Sequence, residues 1–159
     1  MVVADKKITN EPDTGYRLAG VATSLREYKF CHHLNQLLSC DFRKLKDIVF
    51  QTEGQVSQQF GVFRAELKDE EVCYTVFVNK TPGGCLLPEV SSFDYIIRVD
   101  GHSESAGMNI LLNDMQRLIP GVVMCAEIPV KKIKSRERLI YEEEKEPRKK
   151  FKPKNISDS

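Results

Sequence analysis

Apolar residues recur along this chain with two different periods. Between positions 25 and 38, Leu25, Tyr28, Cys31, Leu34, Leu37 and Leu38 fall three or four apart, the spacing of one helix face. Ser24-Leu25-Arg26-Glu27 opens this stretch as a capping box, a Ser hydroxyl for the orphan backbone N–H groups with a Glu three residues on. A second stripe of Met108, Leu111, Leu112, Met115, Leu118 and Ile119 predicts a helix over about 104–118. Ser103 stands where a cap belongs, and Pro120-Gly121 stops the helix. The other apolar segments read as strands: residues 16–23, 42–50, 60–67, 72–79, 93–99 and 121–128, with 42–50 weakened by Lys and Asp. Val72, Tyr74, Val76 and Val78 share one face; so do Phe93, Tyr95, Ile97 and Val99, opposite Asp94, Ile96 and Arg98. Residues 121–128 are apolar on both faces, as a central, covered strand would be. Gln51 to Gln59 reads as a polar loop, and Lys68-Asp69-Glu70-Glu71 is a connection of hairpin length. Thr81-Pro82-Gly83-Gly84 is a turn.

The predicted order is β-α-β-β-β-β-α-β, with strands running consecutively between two helices. That order predicts an α+β fold, a mainly antiparallel sheet with two helices packed on one face. Residues 15–141 form the single domain, 1–14 a flexible N-terminal arm, and 142–159 a charged, disordered C-terminal tail. A chain of 159 residues buries enough surface to fold without a disulfide or metal staple.

Charge changes this picture at one end. Residues 131–154 hold eleven Lys/Arg against five Glu, a net of +6 that leaves −5 for the remainder and +1 overall. The longest wholly apolar run, Val122-Val123-Met124-Cys125-Ala126, is far short of the roughly 20 residues of a membrane span. MVVADKKITNEPDTG has no apolar core of signal-peptide length, so the expected compartment is the cytoplasm. Cys31, Cys40, Cys73, Cys85 and Cys125 are odd in number and widely spaced, with no C-x-x-C pair. They read as buried free thiols, with Cys85 beside Gly84 the most exposed and no base to activate it.

Catalytic and metal chemistry find little support. His32 and His33 are adjacent on a helix and point about 100° apart, which disfavours a shared metal. His102 reads as part of the turn before the second helix. Pro82-Gly83-Gly84 lacks the spacing of a phosphate loop. No metal and no cofactor is expected.

The segment Leu87-Pro88-Glu89-Val90-Ser91-Ser92-Phe93-Asp94-Tyr95 resembles the signature of the bacterial IPExxxVDY family, with Leu87 for its Ile and Phe93 for its Val. REYKFCHHLNQ, IPGVVMCAEI and KIKSRERLI are similar to the family's first helix and C-terminal part, so the likeness covers residues 15–141. It implies a small bacterial domain and carries over neither an activity nor any functional residue.

Read physically, Pro88 leads an extended entry, Ser91-Ser92 suit a turn, and Asp94-Tyr95 begin a strand. Glu89 and Asp94 could be paired carboxylates for acid–base work, or Asp94 could stiffen a turn by accepting backbone N–H groups. Glu89, Asp94 and Tyr95 are the candidate binding surface. In the tail, Lys145, Arg148, Lys149, Lys150, Lys152 and Lys154 surround Phe151, a set that can neutralise phosphates and stack a base. Glu142-Glu143-Glu144 would repel phosphate nearby. The expected function is therefore that of a non-enzymatic cytosolic binding or adaptor protein with a protein partner. RNA contact through the tail is the second reading, and an enzyme using Glu89 and Asp94 is the third.

Overall fold

The sequence folds around a strand that starts the domain and ends up inside its sheet. The computed structural model describes residues 15–50, 57–101 and 105–140. Strand β1 (Tyr16–Thr23) leads to helix α1 (Glu27–Leu38), then to short strands β2 (Arg43–Lys44) and β3 (Ile48–Phe50). β4 (Gln58–Phe60), β5 (Val62–Leu67), β6 (Val72–Val78), β7 (Lys80–Thr81), β8 (Gly84–Cys85) and β9 (Tyr95–Gly101) follow, then α2 (Ser105–Leu118) and β10 (Val122–Ile128). Among the described residues, six strands make one antiparallel sheet in the order β10-β1-β9-β6-β5-β2. β3 pairs with β4, and β7 with β8 across the turn at Pro82-Gly83. This is the α+β class that the element order predicts.

Both faces of the sheet are buried. On one, Ala19, Val21, Val76, Val78, Ile97 and Val99 meet Phe30, Cys31 and Leu34 of α1 and Met108, Leu111 and Met115 of α2. On the other, Leu18, Val62, Phe77 and Ile96 are covered, among the described residues, by loops and short 3-10 turns rather than by an α-helix. Leu86, Leu87 and Phe93 from the loop before β9, and Ile133 and Leu139 from the segment after β10, close that second core. That segment is two short 3-10 turns, Val130–Lys132 and Arg136–Leu139, which act as a strap.

Several sequence expectations need correction. Among the described residues β10 is an edge strand paired with β1 alone, and its Val123 and Met124 are 73% and 41% exposed. Its apolar faces are not both covered. Phe93 precedes β9 and turns into the loop-covered core, away from Tyr95. Gly20 makes room for it, because a Cβ there would lie 2.4 Å from the Phe93 ring. On α1, Phe30 is fully buried and Tyr28 is 71% exposed, so the stripe sits rotated from its expected position. No side chain caps α1; Thr23 Oγ1 accepts from the Leu25 N–H and donates to the Gly121 carbonyl, fixing the chain's entry instead of Ser24. Finally, residues 42–50 split into β2 and β3, and β4 begins at Gln58 and Gln59 in the expected polar loop and ends at Phe60 of the expected strand 60–67.

Candidate functional site

The signature segment is held from beneath by a residue that sequence reasoning did not single out. Asn79 follows β6 and is fully buried. Its Nδ2 donates to the carbonyls of Phe93 at 2.8 Å and Val90 at 3.1 Å, and its Oδ1 accepts from the Leu87 N–H at 2.8 Å. Its backbone accepts from the Leu86 N–H and donates to the Asp94 carbonyl. One carboxamide thus fixes both ends of the Leu87–Phe93 loop, which has a 3-10 turn at Pro88–Val90. The only sequence hint is the residue type, since Asn side chains commonly bond nearby backbone in turns.

The three predicted surface residues take separate internal partners. Glu89 accepts from the Ser135 hydroxyl at 2.7 Å and the Ser135 N–H at 3.0 Å, tying the loop to the strap. That hydroxyl bond, with smaller help from backbone N–H groups, holds its carboxyl below the usual range. Asp94 Oδ2 accepts from the Thr23 N–H at 2.9 Å, and its Oδ1 lies 3.7 Å from Lys80 Nζ. This is the turn-stiffening role. Tyr95 is buried, stacks on Phe30 at 4.6 Å between centroids, and donates its hydroxyl to the Leu25 carbonyl at 2.6 Å. Burial pushes the Tyr95 hydroxyl pKa up, and the nearby Glu27 carboxylate adds to the shift. Glu89 and Asp94 share no hydrogen-bond or ion-pair partner among those contacts, so the geometry does not assemble them as an acid–base pair.

The strap takes up part of the basic block. Arg138 donates to the Leu86 carbonyl at 2.8 Å and lies over the Phe50 ring at 4.8 Å. Arg98 of β9 donates to the Leu139 carbonyl at 2.7 Å. Five of the eleven basic residues fall in 131–140. The other six, Lys145, Arg148, Lys149, Lys150, Lys152 and Lys154, lie with Phe151 outside the described residues, as do the N-terminal arm, Ser103 and His102.

Among the described residues no group of His, Cys, Asp and Glu is placed to hold a metal ion. The His32 and His33 rings are 5.9 Å apart. Burial pushes the Cys31 thiol up to about 12 and Cys40 up to about 11, so neither is a ready nucleophile at neutral pH. No described helix is long and apolar enough to cross a membrane.

Four exposed large apolar side chains, Ile110, Leu118, Val123 and Met124, belong to α2 and β10, while Tyr28, Val49 and Ile140 lie elsewhere. β10 shows a bulge between Val122 and Met124, then runs in regular register with β1 from Met124 to Ile128. Its one charged side chain, Glu127, is bound by Arg17 through two contacts of 2.6 and 2.7 Å. α2 lies against β10: Gln116 Nε2 donates to the Val123 carbonyl at 3.3 Å, and Cys125 Sγ to the Leu112 carbonyl at 3.1 Å. The flank of α2 carries an open groove lined by Asn109, Ile110, Leu112, Asn113 and Gln116, with Ile110 61% exposed. Sequence reasoning missed this site because it placed β10 in the middle of the sheet. The signal was present as the run Val122-Val123-Met124-Cys125-Ala126, which is as apolar as a covered strand.

No family model matches the chain, and no curated protein matches it at a level that would show a relative.

Proposed function

We propose that this chain is a non-enzymatic, cytoplasmic protein-binding domain, a scaffold that takes its partner at the outer edge of β10 and the adjoining flank of α2. The observation that carries this reading is the contrast between the two edges of the sheet. Natural edges are blunted by shortness and charge, because open backbone groups otherwise recruit another strand. β2 follows that rule: it is two residues long, and Arg43 and Lys44 are both exposed. β10 is seven residues long and has one charge, already neutralised by Arg17. Strand addition to such an edge supplies affinity through main-chain hydrogen bonds and specificity through alternate side chains. The bacterial IPExxxVDY likeness is part of this proposal and adds no activity to it.

The test is affinity capture with the tagged full chain, set beside a Val123→Lys/Met124→Lys variant that charges the edge. Partners retained by the native chain and lost by the variant support the reading. Equal capture by both overturns it, as would substrate turnover abolished by Glu89→Gln or Asp94→Asn.

A second reading rests on the charge asymmetry: residues 145–154 contribute RNA contact. It requires affinity that falls steeply with salt and disappears when those residues are deleted. A truncated chain that binds RNA as well as the full one rejects it.

A further inference from the structure

Resting on that reading, we infer that the strand β10 takes is β10 of a second copy of this chain. Two copies would pair antiparallel about a two-fold axis perpendicular to the sheet, giving a continuous sheet with both helix layers on one side. An isologous contact places the same patch against itself, so it needs a surface that does not repel its own image. This patch meets that condition by its chemistry. Val123 and Met124 are apolar, and Glu127 is held by Arg17. α2 is next to β10, so its flank would face the flank of the partner's α2 across the axis. That flank offers Asn109 and Asn113, while Gln116 is engaged with the Val123 carbonyl. A carboxamide has both donor and acceptor and can bond to its own symmetry mate, which a Lys or Glu cannot do. The charges beside them, Asp114 and Arg117, are paired at 3.1 Å. The opposite edge is less suited: β2 is only two residues long, too short to template a second strand, and its exposed Arg43 and Lys44 already pair with Asp41 and Asp47.

Geometry favours β10 as well. Beyond the bulge, Met124 to Ile128 runs without irregularity along β1, which leaves a straight outer edge for a second strand. Val123 sits at the bulge, at the end of that edge, and is 73% exposed. An apolar side chain there would be covered by the second copy.

Sedimentation velocity of the full chain over a concentration series tests this. The native chain should be dimeric at micromolar concentration. Val123→Lys/Met124→Lys on the strand and Asn113→Lys on the helix should each weaken the dimer by more than about tenfold, because the first sets uncompensated charge against apolar strand at both ends of the paired edge and the second puts like charges across the axis. These positions are exposed, so circular dichroism should keep its native form, and the thermal midpoints of variant and native chain should converge on dilution, where dimer no longer contributes. Arg43→Glu on the other edge should leave the dimer intact. A native chain that stays monomeric throughout, or a dimer indifferent to the charged variants, overturns the proposal. The two readings fail separately. A monomer whose capture of a different protein is lost on charging β10 rejects self-pairing and leaves the binding domain standing.

Discussion

Asn79 donates to the carbonyl of Phe93 at 2.8 Å from a position with no solvent exposure. Its other contacts reach Val90 and Leu87, so three backbone groups of the signature loop depend on one side chain. Asn79→Ala should cost about 2–4 kcal/mol, since it strands buried polar groups and leaves a small cavity. Asn79→Asp should cost at least as much. It keeps the acceptor for Leu87 and turns a carboxylate oxygen toward two carbonyls. Urea unfolding of the three proteins measures both. A loss under about 0.5 kcal/mol for either would show that the loop does not rely on this residue.

Gly20 and Phe93 form a second dependent pair. A Cβ on Gly20 would overlap the Phe93 ring, which is itself 8% exposed and packed in the loop-covered core. Gly20→Ala should therefore destabilise by about 1–3 kcal/mol, the range for overpacking. Combined with Phe93→Leu, the total loss should fall short of the sum of the single losses by more than about 0.5 kcal/mol. Strict additivity in a double-mutant cycle would mean that the alanine is accommodated elsewhere.

Truncation of the α2 stripe separates its two sides. Met115 is fully buried and Leu111 is 7% exposed, whereas Leu118 is 51% exposed. Met115→Ala and Leu111→Ala should each cost about 2–5 kcal/mol. Leu118→Ala should stay within about 0.5 kcal/mol. Chemical denaturation that ranks Leu118 with the other two would put the wrong face of the helix against the sheet.

How far these relationships were legible in the sequence depends on how many physical causes share one pattern. The α2 stripe was readable, save for the exposed Leu118, because a helix packed on one side leaves a period that few other arrangements produce. β10 was misread because an apolar strand has two causes, cover on both faces or an open contact surface, and periodicity does not separate them. Phe30 and Tyr28 are both aromatic on the same helix, and only the stacking of Phe30 on Tyr95 decides which is inside. Asp94 was readable as a turn residue, because its short carboxylate suits backbone N–H groups. Asn79 was not. Its partners are main-chain atoms between Leu87 and Phe93, and main-chain atoms leave no mark in a sequence. The loop-covered core was hidden for a related reason: Ile133 and Leu139 stand six residues apart in a charged segment, with no period to join them.

Tyr95 tests how much one hydroxyl contributes at the start of α1. Tyr95→Phe keeps the ring on Phe30 and removes the bond to the Leu25 carbonyl. The expected loss is about 0.5–1.5 kcal/mol, the net value of a typical internal hydrogen bond. Thermal unfolding would measure it. A neutral result would mean that water replaces the hydroxyl at Leu25 without cost.

The contact between Glu89 and Ser135 gives the strap a dependence on pH. Glu89 is a carboxylate whose folded pKa lies below its ordinary value, chiefly because it accepts the Ser135 hydroxyl. A lowered folded pKa means the unfolded chain takes up the proton first as pH falls. The contribution is therefore fully present above the unfolded value of about 4.3 and is lost as pH falls through the folded one. Glu89 is exposed, and solvent keeps the size of the effect small. Comparison with Glu89→Gln isolates it from the other carboxylates. The native chain should be the more stable at neutral pH, and the difference should shrink to nothing once the pH is well below the ordinary carboxylate range. Ser135→Ala should remove most of the same pH-dependent difference, because it deletes the donor that lowers the Glu89 pKa. A difference between native and Glu89→Gln that stays constant with pH would show that the Ser135 hydroxyl does not select the charged form of Glu89.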